Sequence, residues 1–149
     1  MIPISISYYS FQSQQISNAG AKEFAMRLEE AVSHGKTFKI SELTSLDWDK
    51  IYVFHPYVSK SDMEEITQVS WTTNHSYFGY LLDRMFLGKY PLDDDSLNKL
   101  VFTKDGRVVL DVTLNRSAAD FSTIQEIWHD KEPLLAAGED GKSVVISNL

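Results

Sequence analysis

The side chains of this sequence best suited to chemistry are four histidines, a run of three aspartates and one compact Arg-Ser-Asp segment. His34, His55, His75 and His129 have the imidazoles a metal or a proton relay would use. None stands at the His-x-x-x-His spacing that puts two rings on one helix face. Each falls in a different stretch of chain, so capping, packing or simple titration is the expectation for them, and no metal site. His34, followed by Gly35, reads as a cation in the last turn of a helix that stops at the glycine. Asp93-Asp94-Asp95 invites comparison with a calcium loop, which needs a glycine at its sixth position and a glutamate at its twelfth. Counted from Asp93 those positions hold Asn98 and Lys104, and the match fails. A solvated acidic loop is the expected reading. Arg116-Ser117 with Asp120 has the groups to hold an anion, and equally the groups of a turn stitched by its own Ser and Asp side chains. The turn is favoured.

Hydrolytic and nucleotide chemistry find no foothold either. The sequence contains no Gly-x-Ser-x-Gly elbow, no phosphate-cradling glycine loop and no Gly-x-Gly-x-x-Gly. Carboxylates are abundant, but nothing in their spacing selects a catalytic pair. The expectation is therefore no catalytic residue and no cofactor, with a small hydrolase the least favoured class. What remains is a surface. Tyr77, Tyr80, Arg84 and Tyr90 lie beside the inward stripe of an expected helix, and Asp93, Asp94 and Asp95 follow at once. Tyr and Arg dominate binding hot spots, and an acidic rim beside aromatic anchors suits a basic protein partner. Those seven residues form the expected partner-binding site.

Composition narrows the classes further. The chain has 149 residues, 14 Lys+Arg against 21 Asp+Glu, a formal net charge of −7 and no cysteine. A nucleic-acid binder needs a basic face, and anionic membrane surfaces repel an acidic one. Absence of cysteine removes disulfides, thiolate zinc and thiol-linked lipid. The length is that of one domain, able to bury a core unaided.

The elements that must position any site follow from periodicity. No charge precedes Lys22, and Ile2, Ile4, Ile6 and Tyr8 alternate with Pro3, Ser5 and Ser7. That predicts an edge strand in residues 1–20, the rival reading being the remnant of an export signal or anchor with its start upstream. Phe24, Leu28, Ala31 and Val32 predict a helix over Ala21–His34, with Asn18 as N-cap. Ile51 and Val53 alternate with Tyr52 and Phe54 in a strand covered on both faces. Ser61-x-x-Glu64 predicts a capping box opening a short helix with Met63 and Ile66 inward. Phe78, Leu81, Leu82, Met85 and Phe86 predict the inward stripe of a helix over Asn74–Leu87. Asp105-Gly106 predicts a hairpin between Leu100–Thr103 and Arg107–Leu114, with Val108, Leu110, Val112 and Leu114 inward and Asp111 and Thr113 in water. Residues 117–130 read as loop turning weakly helical around Ile124–Trp128, and Lys142–Ser147 as a last strand. The sum is one α+β domain over 1–149: an antiparallel sheet of four or five strands with two main helices packed on it.

Three segments resemble an uncharacterised family of small bacterial proteins. They are Asp47-Trp48-Asp49-Lys50-Ile51-Tyr52-Val53-Phe54-His55-Pro56-Tyr57, then Val101-Phe102-Thr103-Lys104-Asp105-Gly106-Arg107-Val108-Val109, then Arg116-Ser117 with Asp120-Phe121. The resemblance spans Ser41–Ile66 and Asn98–Phe121, about a third of the chain. It implies an envelope or exported setting, since members often begin with a lipoprotein or secretory signal, and it implies no catalytic activity. The chain departs from the pattern in lacking a lipid-accepting cysteine and in its long aromatic stretch over Asn74–Tyr90. Within the first motif, Trp48, Tyr52, Phe54 and Tyr57 read as core aromatics, Asp47 or Asp49 as a turn cap and Lys50 as solvent-facing.

The expected function is a non-catalytic protein-binding module of the immunity or inhibitor type, neutralising a bacterial, basic partner. The alternative is an envelope housekeeping domain tethered through an upstream segment. The location would be the periplasm or envelope if a longer precursor exists and the cytoplasm otherwise. No nucleic acid and no direct membrane insertion are expected.

Overall fold

A computed structural model describes residues 4–74, 76–85 and 96–147, with side chains at 8–74, 76–82 and 96–147. The architecture is α+β. Four antiparallel strands form the main sheet: β1 (Lys50–Phe54), β2 (Leu97–Lys104), β3 (Arg107–Asn115) and β4 (Glu126–Trp128), in the order β3-β2-β1-β4. A second, two-stranded sheet pairs β5 (Leu135–Ala137) with β6 (Val144–Ile146). The helices are α1 (Ile4–Gln14), α2 (Ala21–Ser33), α3 (Lys60–Thr67) and α4 (Tyr77–Met85).

Alternation along the strands builds two cores, one on each face of the main sheet. Ile51, Val53, Leu100, Phe102, Leu110, Val112, Leu114 and Ile127 meet Phe24, Leu28 and Val32 of α2, with Leu135 and Val144 of the small sheet closing that layer. On the opposite face Phe54, Val101 and Val108 pack with Met63 of α3 and Trp71. The expected coverage of β1 on both faces is what the structure shows, with Tyr52 only half-buried.

The β2–β3 hairpin turns on Asp105 and Gly106, at φ 52° and 77°, the left-handed pair a two-residue turn requires. Asp49 holds that turn: its carboxylate accepts the Asp105 N–H at 2.8 Å and the Lys104 ammonium at 3.1 Å. The Asp105 N–H first, and then Lys104, keep the Asp49 carboxyl below the usual aspartate range. Phe102 pairs with Leu110 but Thr103 with Val108, so Val109 is bulged out of register.

Several expectations are corrected. Residues 4–14 form α1, not an edge strand. Two-residue alternation in a stretch this short does not outweigh tertiary packing, and Phe11, 5 % exposed, packs against Tyr77 and Tyr80 of α4. Asn18 does not cap α2, whose N-cap is Gly20 without a side-chain bond. Instead Asn18, at φ 54°, turns its carboxamide onto the edge of β3, donating to the Asp111 carbonyl at 3.0 Å and accepting the Asp111 N–H at 2.8 Å. It satisfies the outward groups of an edge strand as a neighbouring strand would. Asn18→Gly, which keeps the backbone freedom and removes the amide, is expected to lower stability by about 1–3 kcal/mol, read as a shift in the urea midpoint.

The cap of α3 is Ser59, whose hydroxyl accepts the Asp62 N–H at 3.0 Å, two residues before the expected Ser61. Met63 faces inward as expected, but Ile66 is 55 % exposed. The stretch that reads as weakly helical is β4, where only Ile127 is buried. The expected last strand is β6, and it pairs with β5, a strand of three residues too short for its period to show in sequence. Asp111, expected in water, is buried.

Candidate functional site

Of the expected binding residues, the structure describes the side chains of Tyr77 and Tyr80. Tyr77 and Tyr80 both lie on α4, but they face α1, and Tyr80 is 4 % exposed. Tyr77 meets the rings of Tyr8 and Phe11 at 5.3 and 5.9 Å. The helix is therefore rotated from the expected stripe: Phe78 is 70 % exposed and Leu82 is also exposed, while the tyrosines fill the contact with α1. The physical reason is the partner. An aromatic helix, not the sheet, takes up the contacting face of α4, and stacked or edge-on rings satisfy it. Arg84 belongs to α4, but its side chain, with Met85 and Phe86 of the expected stripe, lies outside the described side chains. Tyr90, Asp93, Asp94 and Asp95 lie outside the described residues, as does His75.

The other candidates resolve into structural roles. Arg116 pairs with Asp120 at 3.2 Å, the Asn115 side chain accepts from the Ser117 N–H and hydroxyl, and Asp120 accepts the Ser122 N–H. This is the stitched turn. Burial raises the Asp120 carboxyl, but the Arg116 guanidinium and the Ser122 bonds outweigh it and leave it below the usual aspartate range. His34 follows the last turn of α2 and Gly35 takes φ 65°, as expected for a helix stop. His129 packs edge-on to Trp48 at 4.7 Å. Among the described residues no three His, Asp or Glu side chains gather as a metal would need. No helix of the described residues is long and apolar enough to cross a membrane.

Two clusters that sequence reasoning missed carry the polar and aromatic character of the second sheet face. The first is buried. Asp111 accepts the Trp71 indole N–H at 2.8 Å through one oxygen and holds the Lys99 ammonium at 3.0 Å through the other. Lys60 sits over the Trp71 ring, 3.3 Å from its centroid.

The second cluster is open. Register sets Lys50 opposite Trp128 and Tyr52 opposite Glu126 on β1 and β4, while Ile51 and Ile127 point to the core. Cross-strand neighbours on one face approach within side-chain contact. The Lys50 ammonium accordingly lies 4.3 Å from the Tyr52 ring centroid and 4.4 Å from the Trp128 centroid, with a Glu126 oxygen at 3.0 Å. The other Glu126 oxygen accepts the Trp128 indole N–H at 3.1 Å. Beside this cation stack runs a groove of about 470 Å³, walled by Tyr52, Phe54, Val58, Ile66, His55 and Glu126. Trp128, next to Glu126 on the stack, is 46 % exposed.

Lys50 first, and Trp128 after it, hold the Glu126 carboxyl below the usual glutamate range. A depressed carboxyl contributes its stabilisation fully above its unfolded pKa and loses it as pH falls through the folded value, so Glu126 stays charged across neutral and mildly acidic pH. The available signal for this cluster was the alternation Glu126-Ile127-Trp128, which has strand period but is only three residues long.

No family model, curated protein or solved structure matches this chain. Function must therefore be read from the chemistry of its surface.

Proposed function

We propose that this chain is a non-catalytic protein-binding module of the immunity or inhibitor type, which covers a basic partner with the open aromatic face of its main sheet. The observation that carries this reading is the groove between α3 and the β1–β4 edge, where exposed Trp128 and Ile66 stand beside Tyr52 and a carboxylate. An exposed tryptophan and an exposed isoleucine beside a half-buried tyrosine and a carboxylate are the composition of a binding hot spot. The net charge of −7 favours a basic partner through faster, better-steered encounter. Within the first family-like segment, Lys50, Tyr52, Val53, Phe54 and His55 line one wall of the groove, and the resemblance that segment carries implies no catalytic activity.

The test is capture from the native host followed by titration with the purified partner. The wild-type chain is expected to retain one stoichiometric basic protein. Trp128→Ala and Ile66→Asp are expected to weaken that complex by about 30-fold or more, the scale of a hot-spot truncation of about 2 kcal/mol. Phe78→Ala, on the exposed side of α4, should leave affinity within about twofold, as for a residue outside an energetic centre. Capture of nothing, or affinity lost at Phe78 and kept at Trp128, overturns the reading.

A further inference from the structure

The Lys50 stack shows which chemistry this face recognises. Two aromatic ring faces and a carboxylate around one ammonium are the arrangement by which proteins recognise organic cations. Here two walls are open, the third is half-buried and the resident is enclosed: the Glu126 side chain is 48 % exposed and Trp128 46 %, Tyr52 packs on the second core, and the Lys50 side chain is 16 % exposed. The geometry points to Tyr52, Trp128 and Glu126 as a receptor for one lysine side chain of a basic protein partner, with this chain's own Lys50 as the placeholder that the incoming lysine displaces. This rests on the reading of the groove as a protein-binding surface and names what that surface selects.

Exchange makes the displacement accessible. One ammonium replaces another, so the rings and Glu126 recover the same cation contacts, and charge in the cleft is unchanged. The released Lys50 regains side-chain freedom that offsets the freedom lost by the incoming lysine, since both have the same rotamer entropy. Net affinity then comes from what flanks the incoming lysine. Phe54, Val58 and Ile66 in the adjoining groove suit an apolar residue next to it. A bare lysine gains nothing by exchange, whereas a lysine beside an apolar side chain does. The resident cation thus acts as a filter against indiscriminate binding of basic chains by an acidic protein.

The test empties the cleft. Lys50→Met keeps most of the apolar stem and removes the ammonium; Lys50→Ala is the second variant should the first misfold. The probe is choline, with the uncharged isostere 3,3-dimethylbutanol as control, and the readout is the Trp128 indole N–H resonance. Trp48 and Trp71 are 2 % and 1 % exposed, so Trp128 is the accessible indole. Choline is expected to move the Trp128 signal saturably in the lysine variants, at least about tenfold more tightly than in wild type, as an uncontested cation site requires. The isostere should do so about tenfold more weakly than choline, and Glu126→Gln on the same background should lose most of the difference. A folded Lys50 variant whose Trp128 signal ignores choline, or answers the isostere equally, overturns the receptor. If the partner is captured while choline fails to enter, the receptor fails alone. If choline enters and no partner depends on Trp128, the binding-module reading fails and the cation site stands.

Discussion

Asp111→Ala is expected to cost about 3–5 kcal/mol, a large share of the stability of a domain of this size. The cost does not lie in the lost attraction of one ion pair. With the carboxylate gone, the Lys99 ammonium stays in a site where its side chain is 11 % exposed, and the Trp71 indole N–H loses its acceptor. A buried charge without a counterpart is among the most expensive single defects a fold carries, and an orphaned buried donor adds about 1–3 kcal/mol. Asp111→Asn should recover part of this, because its amide oxygen still accepts from one of the two donors. The double variant Asp111→Leu with Lys99→Met removes both charges and is expected to be milder than Asp111→Ala alone. Urea unfolding followed by tryptophan emission reads all three, and buried Trp71 reports directly on the site. A single Asp111→Ala variant within about 1 kcal/mol of wild type would show that the pair is not the structural lock its burial implies.

The fate of Asp111 shows where sequence is readable and where it is not. Elements governed by local chemistry are plain. Asp105-Gly106 has to turn left-handed and does, and Phe24, Leu28 and Val32 mark the buried stripe of α2 at helical spacing. Strand alternation also places the core side of β3 correctly at Leu110, Val112 and Leu114, but the bulge at Val109 carries Val108, expected with them, into the core on the opposite face. It fails at Asp111 because alternation says only which face a residue takes, and the second face of this sheet is itself covered, by α3 and Trp71. Nothing local to Trp71 announces that it will close over β3. Non-local pairing likewise hides the α1–α4 contact, which takes Tyr77 and Tyr80 from the expected surface and leaves Phe78 outside. The open cluster escapes for a related reason: Lys50 and Tyr52 are legible as one strand face, but their neighbours Glu126 and Trp128 arrive from a segment 74–78 residues later. The motif segment supplies one strand of the cluster, and β4 supplies the other.

Asn98 supplies the second large effect, because one carboxamide closes three backbone groups at once. It is 1 % exposed; its amide donates to the Leu114 and Ala119 carbonyls, both at 3.2 Å, and its oxygen accepts the Phe121 N–H at 2.9 Å. Those bonds fasten the turn that carries Arg116 and Asp120 onto β2, and with it Phe121, which is fully buried. Asn98→Ala would take the carboxamide from the Phe121 N–H and the Ala119 carbonyl in a buried site and open a small cavity, for an expected loss of about 3–4 kcal/mol, the Leu114 carbonyl remaining opposite residue 98 in the β2–β3 ladder. Asn98→Asp is the more telling variant. Its carboxylate still accepts from Phe121 but faces two carbonyl oxygens, so at neutral pH it should be at least as destabilising as Ala. Burial and those oxygens raise the folded pKa of the new carboxyl above its unfolded value. A raised carboxyl is destabilising above the folded pKa and is relieved as pH falls towards the unfolded one, where the protonated acid donates to a carbonyl. The stability of Asn98→Asp relative to wild type should therefore rise as pH is lowered from about 7 to about 5. Urea midpoints at the two pH values measure it. A deficit that does not change with pH, or an Ala variant that loses under about 1 kcal/mol, would mean that water replaces the carboxamide and that the turn is not held from β2.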